Sequence, residues 1–349
     1  MKRFSILILT LCLCLTGCGK QTTEATAQIF AMDTVMEVAA YGEHAEQAVK
    51  STEKRIEELE NRLSRTKADS LVSGLNRDGS IRHLTYDYWN LIARAKEYRD
   101  ATNGAFDITI APVMDAWGFT GDSFRVPEQS ELDTLLKKVN SDAIQMLGSP
   151  SDSVTLGEGQ AIDLGGIAKG YTSDCVEAVF YDHEIENGKI SLGGNVFVLG
   201  TKPDGSDWRV GIKDPRNESG LAAILSLRDA YAITSGGYER YFEENGKTYH
   251  HIIDPATGYP ADSGLLSVTV VAADNGPDWA GAGNGTMCDA FSTALFVMGE
   301  EQALDFWRNG GYNFDLVLVT EDGRVVITAG LADRFEEVKD SGYTYETVS

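Results

Sequence analysis

The stretch Ile162-Asp163-Leu164-Gly165-Gly166-Ile167-Ala168-Lys169-Gly170 predicts the strand-to-helix junction around which this chain folds. Two adjacent glycines let the backbone approach a ligand closely. Lys169 would stand at the N-terminus of the following helix, where free amides also attract anions. The pattern indicates an anion-binding turn, and it is also consistent with a tight turn whose lysine is solvated.

Strands and helices alternate on both sides of this junction without a strict βαβ rhythm, which favours an α+β fold. An alternating stretch beginning at Ile29 predicts a strand, and helical spacing of apolar residues predicts helices over 43–63 and 86–98. Further segments are predicted as strands (189–198, 208–212, 222–227, 265–272, 314–320 and 323–327) and as a broken helix (290–299 with 301–309).

The composition excludes several classes of protein. Among 349 residues, 30 Lys and Arg stand against 53 Asp and Glu, so the net charge is -23. Such a chain would repel a phosphate backbone, and we expect no nucleic-acid partner. An anionic ligand would need a few local cations, backbone amides or a bound metal.

The first residues predict export and lipidation. Lys2 and Arg3 precede an uncharged run over 4–17, which is too short for a comfortable membrane span and is typical of a signal peptide. The run ends in Leu15-Thr16-Gly17-Cys18, a lipobox pattern; the alternative is an ordinary cleaved signal with a chance cysteine. We expect a signal peptide at 1–17, lipidated Cys18 with a tether at 18–28, and one domain at 29–345. The predicted location is the bacterial cell envelope, with the lipid anchor in the outward face of the cytoplasmic membrane.

Two cysteines, Cys175 and Cys288, remain in the predicted domain. One disulfide is possible in an oxidising compartment. Two buried free thiols are the interpretation that we favour.

Three oxygen-bearing side chains share one face of a predicted helix. Asp289, Ser292 and Thr293 fall at i, i+3 and i+4. Such hard ligands suit Mg²⁺, which completes its shell with water and substrate phosphate. The simpler interpretation is a helix N-cap with solvated hydroxyls.

His251 is the candidate general base. It lies three residues before Asp254, at the end of an apparent strand, and an imidazole there could take up a proton near neutral pH. A capping or core histidine is the alternative. The sequence contains no HExxH, CxxC, GxSxG, Walker or GxGxxG motif.

Six ordered motifs resemble the ApbE family of FAD:protein FMN transferases, over about residues 32–299. They are GAFDIT (104–109), DLGGIAKG (163–170), SLGGN (191–195), TSGGYERYF (234–242), HIIDPATGYP (251–260) and DAFSTALFVMG (289–299). The resemblance implies a single ApbE-like, T-fold-related α+β domain with mixed sheets and surrounding helices.

The resemblance also implies Mg²⁺-dependent transfer of FMN from FAD to a Ser or Thr hydroxyl of an acceptor protein, with release of AMP. His251 and Asp289 would be catalytic, and Gly166, Asp289, Ser292 and Thr293 would bind the metal. The residues implied to contact FAD are Met32, Thr66, Ala105, Phe106, Asp107, Asp163, Lys169 and Ile253. The implied acceptors are flavoproteins of sodium-pumping NADH:quinone reductase or RNF-type complexes, or other exported proteins with a flavinylation motif.

Three positions depart from the family pattern. Asp33 replaces the usual glycine of Met-Gly-Thr, Thr66 replaces a frequent tyrosine and cannot stack on a ring, and Ser292 replaces an aspartate of some members. These departures leave two alternatives: an FAD pyrophosphatase that releases FMN and AMP, and a non-enzymatic, membrane-tethered flavin-binding protein. The Gly-rich loop at 274–286 has no counterpart in the motifs quoted above.

Overall fold

The computed structural model describes residues 23–121, 123–148, 153–277 and 282–349. The predicted signal peptide and Cys18 lie outside these ranges, as do positions 278–281 of the Gly-rich loop. No helix in the ranges given is long and apolar enough to cross a membrane.

Seventeen strands and seven helices occur in these ranges. The strands are β1 (Glu24–Ala31), β2 (Thr34–Tyr41), β3 (Ser80–Arg82), β4 (Gln145–Leu147), β5 (Ser153–Thr155), β6 (Asn187–Leu192), β7 (Asn195–Leu199), β8 (Trp208–Lys213), β9 (Leu221–Leu227), β10 (Ala230–Gly236), β11 (Tyr241–Glu244), β12 (Lys247–His250), β13 (Leu265–Ala273), β14 (Asp315–Thr320), β15 (Arg324–Thr328), β16 (Phe335–Glu337) and β17 (Thr344–Val348). The helices are α1 (Ala45–Leu63), α2 (Leu71–Asp78), α3 (Tyr86–Ala101), α4 (Ala111–Trp117), α5 (Gln129–Leu135), α6 (Ala168–Asp182) and α7 (Asn284–Asn309).

A nine-stranded sheet forms the centre, in the order β1-β2-β6-β7-β10-β13-β14-β15-β17. Its pairs are antiparallel except for the parallel pair β15–β17. Because side chains alternate along a strand, Leu316 and Leu318 of β14 face the core beneath the helices, while Val317 and Val319 face a smaller sheet, β16-β9-β8. The predicted α+β architecture with mixed sheets is confirmed.

Helices α6 and α7 pack against each other in opposite directions over this sheet. Gly170 and Gly285 meet at the contact, and a methyl group on Gly170 would lie 2.2 Å from the Gly285 carbonyl oxygen. Only residues without a side chain allow this approach. The close packing brings the first turn of α6 alongside the first two turns of α7.

Helix α7 begins at Asn284, six residues before the predicted start. The buried carboxylate of Asp174 accepts hydrogen bonds from the amides of Gly283, Gly285 and Thr286, so a side chain of α6 caps α7. Part of the Gly-rich loop is therefore helical. The predicted interruption is confirmed at Gly299, whose φ is 79°.

Two predicted strands are instead hairpins. The stretch beginning at Ile29 turns at Met32 and Asp33, with φ values of 49° and 59°, and the stretch 189–198 turns at Gly193–Gly194.

β1 starts at Glu24, so five residues of the predicted tether belong to the sheet. Polar residues are tolerated there because β1 is an edge strand whose side chains are largely exposed. At the other end, β17 continues to Val348, past the predicted boundary at 345.

Candidate active site

The four predicted metal ligands lie close together where α6 meets α7. A Cβ atom on Gly166 would lie 3.4 Å from Thr293 Oγ1. Ser235 Oγ, at the end of β10, lies 2.8 Å from Ser292 Oγ and 3.1 Å from Thr293 Oγ1. The fold therefore adds a third hydroxyl, which the motif at 234–237 signalled without indicating its partners.

Asp289 is held in one orientation from both sides. Its carboxylate is 2% exposed; Oδ2 accepts from Gly170 N at 2.8 Å and Oδ1 accepts from Asn195 Nδ2 at 3.0 Å. Asn195 is itself buried, and its Oδ1 has no hydrogen-bond partner in the described part of the chain. Sequence reasoning missed Asn195, although it ends the SLGGN motif.

The oxygen atoms of this cluster are suitable ligands for a hard cation. The cluster offers one buried carboxylate, three hydroxyls and an unpartnered amide oxygen, and Mg²⁺ usually takes one or two carboxylates together with water and phosphate oxygens. Within the described ranges, no group of three or more His, Cys, Asp or Glu side chains is placed to hold a metal.

His251 is neutral, and one ring nitrogen can accept a proton. Its Nδ1 lies 3.1 Å from the carbonyl oxygen of Arg240. A carbonyl only accepts, so Nδ1 carries the hydrogen and Nε2 keeps its lone pair. Burial, followed by the charge of Lys169, lowers the pKa of His251 to about 3. An anion bound beside Lys169 would oppose the second effect and raise that pKa.

Lys169 stands in the first turn of α6 and is half-buried. Its charge lowers the pKa of His251 and opposes the burial that raises the pKa of Glu239, so the lysine lies close to both. It forms no ion pair among the residues that the structure describes. This placement favours the interpretation of 162–170 as an anion-binding turn.

The carboxylate of Asp163 accepts a hydrogen bond from Arg65, a residue that sequence reasoning missed. Its Oδ1 accepts from Gly165 N at 2.7 Å and its Oδ2 from Arg65 Nη1 at 3.0 Å. Arg65 also contacts Asp115 at 2.8 Å, and its side chain is only 13% exposed. The adjacent Thr66 is exposed, and its hydroxyl pairs with Ser64 Oγ at 3.0 Å.

The GAFDIT segment supplies one wall of the site. Phe106 is buried, and its ring edge would lie 3.2 Å from a Cβ atom on Gly166, while Ala105 is half-buried. The carboxylate of Asp107 accepts from Thr109 N and Oγ1 and from Ser141 N and Oγ. It therefore joins two loops, and its predicted contact with FAD stays a prediction.

Met32 and Ile253 lie in different surroundings. Met32 N donates to Glu60 Oε1 at 3.1 Å, and Met32 Sδ lies 3.7 Å from Thr172 Oγ1 of α6, while its neighbour Asp33 is exposed at the tip of the hairpin. Ile253 is buried in a separate apolar cluster with Trp117 and other side chains. Their roles toward FAD stay predictions, as do those of the other site residues.

The fold is α+β, and its candidate site is a cluster of oxygen-bearing side chains where the antiparallel helices α6 and α7 meet. The chain belongs to the ApbE family, whose sequence model matches residues 32–317. Cys175 and Cys288 are both free and buried, so the favoured interpretation of two buried free thiols is confirmed.

The relatives and solved structures agree with this assignment. The FAD:protein FMN transferase of Treponema pallidum is 31% identical over 307 residues, covering 83% of this chain and 82% of that protein. The enzyme of the same name from Klebsiella pneumoniae is 33% identical over 294 residues, covering 82% and 86%. The crystal structure of the ApbE protein of Thermotoga maritima superposes with a TM-score of 0.77 at 30% identity, covering 91% of this chain and 97% of that one. The predicted family, fold and enzyme class are confirmed.

Proposed function

We propose that this protein transfers FMN from FAD to a Ser or Thr hydroxyl of an acceptor protein, with Mg²⁺ at the helix junction and AMP as the leaving group. Relatives that bear the name FAD:protein FMN transferase support the reaction class. The observation that carries the proposal is the proximity of Asp289, Ser292 and Thr293 to the first turn of α6, which also holds Lys169, a cation close to His251.

Each group of residues has a separate role in the proposed reaction. Lys169, in the first turn of α6, holds the pyrophosphate, which the acidic remainder of the protein would otherwise repel. Asp289, Ser292 and Thr293, with the carbonyl of Gly166, would hold Mg²⁺; when bound, it would neutralise charge that develops on the phosphate oxygens. Asn195 and Gly170 keep the carboxylate of Asp289 pointed at that position.

His251 Nε2 accepts the proton of the acceptor hydroxyl. The oxygen then bonds to the FMN phosphorus while the bond from that phosphorus to the bridging oxygen breaks, and AMP leaves with the electron pair. The proton stays on His251 until it is returned to solvent. Bound pyrophosphate beside Lys169 would raise the low pKa of His251 and make it a stronger base.

The location and the acceptors are also proposals. Cys18, as a diacylated residue, would attach the domain to the outward face of the cytoplasmic membrane. Acceptors would then be exported flavoproteins, including subunits of sodium-pumping NADH:quinone reductase or RNF-type complexes.

Incubation with FAD, Mg²⁺ and an acceptor protein tests the activity. The acceptor should fluoresce in a denaturing gel and gain one FMN by mass spectrometry, and chelation of Mg²⁺ should abolish both signals. Absence of labelling on a competent acceptor would refute transfer. Free FMN and AMP formed equally fast without acceptor would indicate a pyrophosphatase, and tight FAD binding without AMP would indicate a flavin-binding protein.

A further inference from the structure

A cavity lies beside the N-terminus of α7, where α7 meets the second half of α6. It has a volume of about 290 Å³, and its lining includes Glu177, Tyr231, Asp274 and Gly283. Glu177 follows Lys169 by eight residues along α6, which is roughly 12 Å at the rise of an α-helix. The cavity is thus separate from the proposed flavin site.

Glu177 has a buried oxygen that lacks a donor. The residue is 2% exposed. Its Oε2 accepts from the hydroxyl of Tyr231, whereas its Oε1 has no hydrogen-bond partner among the residues described. Asp274 lines the same cavity, and its charge lies close enough to act on Glu177. Two ionised carboxylates only accept and repel each other, so the pair requires a proton or a cation between them.

The surroundings favour a cation. The charged side chains that line the cavity are Glu97, Glu177, Asp274 and Arg94, and Arg94 is paired with Glu97 at 2.7 Å. Asp174 adds a further carboxylate behind Glu177, although its oxygens already accept from the amides that begin α7. Carboxylates are oxygen ligands of the type that Ca²⁺ accepts in flexible geometries, and water molecules can complete its shell.

We propose that this cavity binds a divalent cation of the calcium type, coordinated by the carboxylates of Glu177 on α6 and Asp274 after β13. The ion would tie the start of the Gly-rich loop to α6. It would thereby stabilise the N-terminal turn of α7, about one and a half turns before Asp289. The proposal does not depend on the flavin reaction.

Terbium luminescence tests the site on the full chain, freed of metals with a chelator. Tb³⁺ replaces Ca²⁺ at oxygen sites, and Tyr231 would sensitise its emission. The protein carrying Asp289→Asn should be titrated first, so that the proposed Mg²⁺ site does not contribute. We expect saturable emission that Ca²⁺ displaces, and at least tenfold weaker binding after Glu177→Gln or Asp274→Asn. Glu97→Gln, at the same cavity but outside the pair, should change the affinity less than threefold.

Thermal unfolding provides a readout that is independent of luminescence. In the same Asp289→Asn protein, Ca²⁺ should raise the Tm, and adding Asp274→Asn should abolish that rise, which also covers the case in which Glu177→Gln fails to fold. Emission that both substitutions leave intact, or a Tm of the Asp289→Asn protein that Ca²⁺ does not move, would overturn the proposal and assign a shared proton to the pair.

Discussion

Gly170→Ala tests the contact on which the candidate site depends. The added methyl group would lie 2.2 Å from the carbonyl oxygen of Gly285 and 2.6 Å from Asp289 Cβ, whereas ordinary contacts are 3.4–4 Å. Helices α6 and α7 must therefore move apart by about 1 Å, which is the shortfall in those distances. The hydrogen bond from Gly170 N to Asp289 Oδ2 would be strained or lost.

The expected cost follows from these contacts. Overpacking costs about 1–3 kcal/mol, and weakening a hydrogen bond to a charged group costs about 1.5–3 kcal/mol. Alanine returns at most about 1 kcal/mol of helix propensity. The free energy of unfolding should fall by about 1.5–5 kcal/mol in total. Because a 1 Å displacement of a catalytic group can cost roughly 100-fold, labelling of the acceptor should fall by about 10- to 100-fold.

Urea and thermal unfolding measure the first effect, and the gel assay measures the second. Gly74→Ala in α2 is the matched control, because its methyl group would meet nothing closer than 3.8 Å; it should stabilise the protein by up to about 1 kcal/mol. A Gly170→Ala protein as stable and active as the parent would refute the close-packing argument.

Three further outcomes can be measured. NMR titration should show His251 uncharged down to about pH 4, because burial lowers its pKa to about 3. Since the unfolded chain binds that proton near the ordinary value of about 6.5, His251 makes folding less favourable as the pH falls from about 6.5 toward 3. A titration midpoint of His251 near 6.5 would contradict the expected shift. Asp289→Asn should lower labelling about 100-fold and the free energy of unfolding by about 1–3 kcal/mol, because its NH₂ group would face one of the two N–H donors that now bind the carboxylate. Asp305→Asn, on the exposed side of the same helix, should leave labelling and stability unchanged. Cys175 and Cys288 are buried and unpaired, so a maleimide should label them only after unfolding; rapid labelling of native protein would count against the fold.

The sequence predicted several residues of the candidate site but not which residues contact one another there. Asp289, Ser292 and Thr293 were found because helical spacing places them on one face, which is local information. Ser235 and Asn195 lie 57 and 94 residues away from their partners Ser292 and Asp289. No local pattern specifies such pairs.

Elements of secondary structure that depend on local sequence were predicted, whereas those that depend on distant residues or on unusual backbone conformations were missed. The period of apolar residues predicted α1, because it reflects one face of a single segment. The hairpin at Met32–Asp33 was missed because neither residue is glycine, yet both adopt positive φ. The early start of α7 was missed because its cap, Asp174, comes from another helix.

The sequence by itself determined the fold class, the family and the residue types of the site, since these depend on periodicity and on ordered motifs. Only the tertiary structure decided which oxygens of Asp289 are engaged, which nitrogen of His251 is free, and that Arg65 restrains Asp163. It also decided that Glu177 meets Asp274 across a cavity. These are long-range contacts, and their geometry is set by how closely α6 and α7 pack at Gly170 and Gly285.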